Sequence, residues 1–396
     1  MQQYKQEWFG NIRGDILAGI VVCLALFPEV IGFMIVAGVP PIVGVYATFF
    51  ITAIAAFFGS SKGMISAAAG SVALVLAHLV AEYGIQYLFA ATILAGILQV
   101  ALGLLKVGTL MRYIPKPVMT GFVNGLGIMM FTSQLDHFRG SLLLPLLGLL
   151  GIAIIFLFPR ITKKIPAPIV AILVITAIVL GFGLDVKTLG DMGSISTDLP
   201  RFGIPAVPMT VETLRIIFPT ALSVAIVGLV ESLLTAQLVD EITDEKSDKN
   251  QETLSQGLGN VVSGFFGGIA GCGMIGQTII NLNYGGLGRL ATFLSGFFML
   301  SSVVLLNGSV VQIPVVALAA VMVVVSIETI NWDSIKRLRT NPKNESFAMI
   351  LTVAIVIGTH NLAYGVVAGT LVSAIFAAFK MSHLQVEAGT ADDDHH

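Results

Sequence analysis

The sequence predicts an all-α polytopic membrane protein: fourteen transmembrane segments in two inverted seven-helix repeats, with short half-helices at spans three and ten. Three observations carry that expectation. Of 396 residues 56% are apolar and only 11% charged, against about 25% charged in soluble domains. Lys and Arg fall almost entirely on one side of the apolar segments. Local motifs of the first half recur, in order, in the second.

Composition also excludes alternatives. The 44 charges (21 basic, 23 acidic) cannot cover a water-facing surface for a chain this long, which excludes a soluble enzyme and a disordered chain. A net charge of −2 gives nucleic acid no electrostatic footing. The apolar runs are continuous rather than alternating, which excludes a β-barrel. Cys23 and Cys272 sit in apolar context, with no disulfide framework and no metal site.

The N-terminal 1–15 segment is polar, lacks a cleavable signal pattern, and is expected in the cytoplasm. The first repeat occupies 16–183, with spans at 16–36, 39–59, 68–81, 87–104, 118–134, 141–158 and 166–182. The second occupies 205–380, with spans at 216–238, 254–267, 273–283, 290–307, 312–327, 346–359 and 362–380. Fourteen spans in 396 residues leave about 28 each, so connections are short. Spans three and ten are too short to cross alone, and both follow Gly-rich stretches. The 381–396 tail, which carries Asp392-Asp393-Asp394, is expected as a cytoplasmic linker.

An even span count puts both termini on one side. That side holds Lys5, Arg13, Lys62, Lys106, Arg112, Lys116, Arg160, Lys163, Lys164, Lys246, Lys249, Arg289, Lys336, Arg337, Arg339, Lys343 and Lys380; the other holds Arg139, Lys187, Arg201 and Arg215. The 17-to-4 split places both termini in the cytoplasm of a plasma (inner) membrane protein. Trp8 and Trp332 flank segment ends on that side, as interfacial anchors do.

Phe57-Phe58-Gly59 followed by Gly63-Met64-Ile65 returns as Phe265-Phe266-Gly267 followed by Gly273-Met274-Ile275, each leading into a short span. Tyr113-Ile114-Pro115 opens span five and Gln312-Ile313-Pro314 opens span twelve, while spans one and eight carry Glu29 and Glu231. The offset of seven is odd, so the second copy starts from the opposite side. Paired short, Gly-interrupted segments in matching halves point to a transport site. Chance similarity among Gly- and Phe-rich segments is the bland alternative, and the shared order of four features argues against it.

Glu29 and Glu231 lie deep in apolar runs, where a carboxylate costs about 2.5–3.5 kcal/mol on insertion scales. Such residues face a cavity, a partner or a coupling ion, or stay protonated in the bundle. Pro28 frees backbone carbonyls beside Glu29. Glu29 shares a helix face with Phe33, and Glu231 with Thr235. A carboxylate with a hydroxyl one turn on suits sodium or a proton, unless the Thr is bonded back to its own helix.

The short spans supply the opposite charge. A helix that starts mid-membrane points N–H groups and a partial positive charge into the protein. One starts near Ala67-Ala68-Ala69-Gly70-Ser71, the other near Cys272-Gly273-Met274-Ile275. Small residues let an anion reach the backbone, or simply let helices pack closely. No Lys or Arg is expected to be buried. An anion beside two glutamates is repelled unless a cation or proton binds with it, so charge balance implies symport. His78 and His360 are expected as packed or interfacial residues. The acidic run Asp240-Glu241, Asp244-Glu245, Asp248 and Glu252 is expected as a solvated loop, and Gln277, Thr278, Asn281 and Asn283 as polar helix contacts.

The chain resembles the SulP (sulfate permease) family of anion transporters over nearly its whole length. The resembling stretches are Arg13-Gly14-Asp15, Pro28-Glu29-Val30-Ile31-Gly32-Phe33, Val39-Pro40-Pro41-Ile42-Val43-Gly44-Val45-Tyr46, Glu231-Ser232-Leu233-Leu234-Thr235 and Gln256-Gly257-Leu258-Gly259-Asn260. The resemblance implies a core domain of spans 1–4 and 8–11 sliding against a gate domain of spans 5–7 and 12–14. It implies anion binding at Phe33, Ala69, Gly70, Ser71, Gly273, Met274 and Ile275, with Glu29, Glu231 and Thr235 linked to the coupling ion or proton. Ala69 and Ile275 stand where relatives often carry Pro, Thr or other hydroxyl residues, so recognition leans on backbone N–H groups. The resemblance also implies a homodimer; relatives usually end in a cytoplasmic STAS domain, and the 381–396 tail stands where that domain would start.

The expected function is a secondary transporter of sulfate, bicarbonate or a small dicarboxylate, coupled to Na+ or H+, with no other cofactor. Rivals are an uncoupled anion channel or exchanger and a proton-coupled nucleobase carrier of similar architecture. An intramembrane hydrolase would need an HExxH, a GxGD or a buried Ser–His pair, and none is present in the sequence.

Overall fold

In lipid, a backbone segment must satisfy its own hydrogen bonds, which selects helices for the long apolar runs. The computed structural model describes residues 2–163, 165–192 and 198–393; Lys164, Asp394, His395 and His396 lie outside the described residues.

The first half begins with α1 (Gln2–Phe9). Helix α2 (Ile12–Ala37) carries Pro28 inside and stops at Gly38, whose φ of 71° ends it in the left-handed conformation. Helix α3 (Pro41–Phe58) takes Pro at its first position, where a missing N–H costs nothing. Then come strand β1 (Ser66–Ala68), α4 (Gly70–Tyr83), α5 (Ile85–Leu104), α6 (Lys116–Gln134), α7 (Leu143–Leu157) and α8 (Ala167–Phe182).

The second half begins with α9 (Val211–Thr243), capped by the Thr210 hydroxyl, which accepts the Thr213 N–H. Asp248 caps α10 (Lys249–Phe265) by accepting the N–H groups of Asn250 and Gln251. Next are β2 (Gly271–Gly273), α11 (Ile275–Asn283), α12 (Arg289–Leu305), α13 (Asn307–Val310), α14 (Val315–Thr329), α15 (Trp332–Lys336), α16 (Lys343–Thr359) and α17 (Leu362–Asp393).

Each of the fourteen predicted segments carries a helix. Among the described residues six helices are long and apolar enough to cross a membrane, or seven if Val315–Thr329 and Trp332–Arg339 form one bent span. Helices α4, α8 and α12 are apolar but shorter. The two short predicted spans become α4, with 14 residues, and α11, with nine. The backbone of the tail continues α17 through Asp393.

The chain groups into two compact units. The larger joins residues 1–111 with 130–325. Within it β1 pairs antiparallel with β2: Ser66 opposite Gly273, Ala67 opposite Cys272 and Ala68 opposite Gly271. Helix α5 lies against α10 through glycine: a Cβ on Gly96 would stand 2.6 Å from the Gly257 carbonyl oxygen. Such backbone approach is how membrane helices gain packing when lipid is as apolar as their side chains. The smaller unit joins residues 112–129 with 326–396. There the first part of α6 packs on α16, where a Cβ on Gly121 would meet the Met349 carbonyl oxygen at 2.7 Å and one on Gly125 would meet Val356 at 2.8 Å.

Three expectations change. Trp8 is buried, not interfacial: α1 folds back, and its indole packs on Phe57 with ring centroids 4.8 Å apart. Arg289 is buried despite the expectation of none. It donates to Glu7 (2.7 Å) and to the Ala56 and Gly59 carbonyls (2.9 and 2.8 Å), so charge pairing and α3's terminal carbonyls offset its desolvation. The acidic run is not merely solvated. Glu252 is buried and accepts the Ser60 and Ser61 N–H groups at 2.8 and 3.0 Å, Asp240 holds Lys249 at 2.5 Å, and Glu245 holds Lys62 at 2.7 Å. His78 is exposed and faces Glu82 at 3.6 Å; His360 is exposed and ends α16 at a φ of 52°.

Candidate functional site

The site grows from the strand pair. Strand β1 delivers the chain into α4 and β2 delivers it into α11, so both short helices start beside the same small sheet. Ala69 is the N-cap of α4 with extended backbone (φ −123°, ψ 150°) and a side chain that cannot cap. The first helical amides, of Gly70, Ser71 and Val72, therefore have no acceptor within the helix. The first intrahelical bond returns from Ala73 N–H to Ala69 O at 3.0 Å. Phe33 of α2, buried, lies over this end, and a Cβ on Gly70 would stand 2.7 Å from its ring. Glu29, partly buried, precedes Phe33 by one turn.

Glu231 of α9 reaches the same place. Its Oε2 accepts from the Ser71 hydroxyl and, at 3.3 Å, from the Cys272 thiol; the two donors themselves are 3.7 Å apart. A carboxylate is favoured at a helix N-terminus, where the α4 dipole presents partial positive charge. The Thr235 hydroxyl donates to the Glu231 carbonyl at 2.8 Å, the back-bonded form, and also lies 3.3 Å from the Gly273 carbonyl. Glu231, Ser71, Cys272, Thr235 and Gly273 thus form one hydrogen-bonded group.

The second helix start is shifted relative to the sequence expectation. The Gly273 N–H donates to Ser232 Oγ at 2.8 Å, and the Met274 N–H to Ile65 O at 2.8 Å. A hydroxyl on α9 and the backbone leading into β1 have taken these donors. Met274 is the N-cap, and α11 begins at Ile275. The amides without an intrahelical acceptor are those of Ile275, Gly276 and Gln277, since Thr278 N–H already bonds Met274 O at 3.1 Å. Gly276 is exposed, and a Cβ built there meets nothing within 4 Å.

A buried polar frame holds the strands. The Asn260 side chain pairs with Gly271 like a neighbouring strand: Oδ1 accepts its N–H at 2.8 Å, and Nδ2 donates to its carbonyl at 3.2 Å and to Gln99 Oε1 at 2.7 Å. Gln256 donates to Ser66 Oγ at 2.7 Å and to Glu252 Oε1 at 3.0 Å. Thr278 accepts the Ile65 N–H at 3.0 Å, and Asn281 donates to the Gly63 carbonyl at 2.8 Å, so the polar residues of span ten hold the approach to β1. Gln99 gave no signal in sequence, being one neutral residue in an apolar run; Cys272 was placed near the second short helix start, but not as a partner of Glu231, and Ser232 was visible only through the resemblance. Asn260 and Gln256 were visible only through the resemblance.

The pattern that describes the Sulfate permease family matches residues 12–143 and 141–352. The chain belongs to this family. It is a family of transporters, not enzymes. The protein named "Putative sulfate transporter YbaR" of Bacillus subtilis is 53% identical over 391 residues, covering 98% of this chain and 81% of the relative. The "Bicarbonate transporter BicA" of Picosynechococcus is 28% identical over 435 residues, covering the whole chain and 76% of the relative. The solved transmembrane domain of a cyanobacterial BicA superposes with a TM-score of 0.80 at 26% identity, covering 92% of this chain and 98% of that one. The chain is thus a mostly helical integral membrane protein with a BicA-like transmembrane fold.

Proposed function

We propose that the chain is a secondary active transporter of a small oxyanion, sulfate or bicarbonate, coupled to sodium or protons. The observation that carries this reading is the joining of the Glu231 carboxylate to Ser71 at the start of α4 and to Cys272 in β2. The same few residues present a carboxylate and the positive ends of two short helices, with no cationic side chain among them. An anion drawn to the open amides of α4 and α11 meets the charge of Glu231 at close range. A proton on Glu231, or a sodium ion held by its carboxylate with the Thr235 hydroxyl and the Gly273 carbonyl, removes that repulsion. Cation and anion then favour each other's binding, the thermodynamic content of symport.

The remaining assignments belong to the same proposal. Fourteen spans form two inverted repeats, and the β1–α4 and β2–α11 units are the paired discontinuous segments expected at the middle of such folds. Spans 1–4 and 8–11 move as a core against spans 5–7 and 12–14, carrying the site between two access states. Phe33 covers the anion, and Glu29 joins Glu231 in compensating charge. Both termini lie in the cytoplasm of the plasma membrane, and the working unit is a homodimer. The sulfate and bicarbonate relatives support the substrate class.

The test is uptake of labelled sulfate, bicarbonate, fumarate and uracil into proteoliposomes under imposed sodium and proton gradients. Sulfate or bicarbonate uptake that accumulates against its gradient when one cation gradient points inward is the expected result. Uptake indifferent to both gradients would make the protein an uncoupled exchanger or channel, and uracil uptake would make it a nucleobase carrier.

A further inference from the structure

A polar cavity lies in the smaller unit, far in sequence from Glu231. It measures about 410 Å³ and is lined chiefly by Lys116 and Thr120 of α6, Asn331, Ser334 and Arg337 around α15, and Glu345 of α16. Its floor is tied together. Asn124 Oδ1 accepts the Asn331 N–H at 2.7 Å, Asn124 Nδ2 donates to Ser334 Oγ at 2.9 Å, and Asn331 Oδ1 accepts the Ser334 N–H at 3.0 Å. Ser346 closes another side by donating to the Leu338 carbonyl at 3.1 Å. A pocket fixed by side-chain bonds on three segments is preorganised.

The lining itself carries Lys116 and Arg337 against Asp333 and Glu345, but the stretch around it is basic. Residues 331–345 carry Lys336, Arg337, Arg339 and Lys343 against Asp333 and Glu345, and Lys116 adds a fifth cation. Asp333 is engaged by Lys336 at 3.6 Å. Among the described residues no ion pair engages Lys116 or Arg337, which both line the cavity.

Its position is that of the membrane surface. The basic stretch follows directly on the apolar α14. Trp332 is half exposed, and its indole N–H is bound to the Ile327 carbonyl at 2.8 Å, which holds the ring at the end of that helix; Ile335 is 43% exposed beside it. An anchored Trp between an apolar span and a basic cluster marks the headgroup layer. Four or more Lys/Arg immediately beyond a membrane helix attract anionic lipid, and a guanidinium matches the phosphate fork.

We propose that this cavity binds the phosphodiester headgroup of an anionic phospholipid, with Arg337 and Lys116 as its cationic ligands and the Asn331 side-chain amide as a neutral donor. The lipid staples α6, α15 and α16 together, and Glu345 limits its affinity.

The test is thermal unfolding of the full chain in detergent micelles titrated with phosphatidylglycerol, phosphatidylcholine or inorganic phosphate. Wild-type protein is stabilised by phosphatidylglycerol and by neither other additive, and less so at high salt. Arg337→Gln weakens the apparent lipid affinity about fivefold, and with Lys116→Gln about twenty-fivefold, the ratio set by ~1 kcal/mol per basic residue near an anionic surface. Glu345→Gln, which removes no cation, strengthens it several-fold and keeps the test decisive if the double variant does not fold. Equal phosphatidylglycerol affinity in wild type and any of these variants overturns the proposal. Stabilisation of wild type by inorganic phosphate alone replaces it with a small-anion site.

Discussion

Glu231 receives two donors on one carboxylate oxygen, and they come from distant parts of the chain: Ser71 from the start of α4 and Cys272 from β2. Glu231 and Ser71 were legible in sequence because a carboxylate in an apolar run and a small polar residue after glycine are both conspicuous. Cys272 was placed near the second short helix start, but its bond to Glu231 was not legible, since a thiol in such a run is chemically quiet until a partner is placed beside it. The open amides of α11 were misplaced by one to two residues, because Gly273 and Met274 give their N–H groups to Ser232 and Ile65. This decides which glycine probes the site. A Cβ on Gly273 would stand 3.0 Å from the Ser232 Cα and disturb β2, whereas one on Gly276 meets nothing within 4 Å. Gly276→Leu is therefore expected to weaken anion binding at least tenfold in calorimetry, about 1.4 kcal/mol, with the melting temperature unchanged. Unchanged affinity would remove α11 from the site.

At the scale of elements, the strand pair is what brings α4 and α11 together. Three-residue strands leave no period in the sequence, and their pairing joins segments some two hundred positions apart, from Ser66 to Gly273, so neither was foreseen. Asn260 is the hinge of this arrangement, satisfying both backbone groups of Gly271 and the Gln99 carbonyl. Asn260→Ala leaves these buried groups unpaired, at about 1–3 kcal/mol for each group stranded. The expected net loss is roughly 2–3 kcal/mol in denaturant titration, together with loss of anion binding; a variant as stable as wild type would show that the clamp is dispensable. The acidic run between α9 and α10 teaches the same lesson. Its composition reads as solvated, but Glu252 is withdrawn to hold the Ser60–Ser61 turn that leads toward β1.

For the whole molecule, apolar content and charge count were enough to place the chain in a membrane, and helices stand at all fourteen predicted segments. Length and apolarity alone qualify only six or seven of them as spans, and α4, α8 and α12 are apolar but shorter. The resemblance implied two domains that each join distant stretches of sequence; the two compact units also do so, 112–129 with 326–396 in the smaller. The central claim is that Glu231 makes the binding of an anion depend on a cation. It is tested most directly by comparing wild type and Glu231→Gln in proteoliposomes for two quantities: accumulation of labelled sulfate or bicarbonate driven by a cation gradient, and anion exchange at equal concentrations without one. The variant, folded to the same melting temperature, is expected to lose accumulation entirely while still exchanging anion. Accumulation in Glu231→Gln that matches wild type would contradict it.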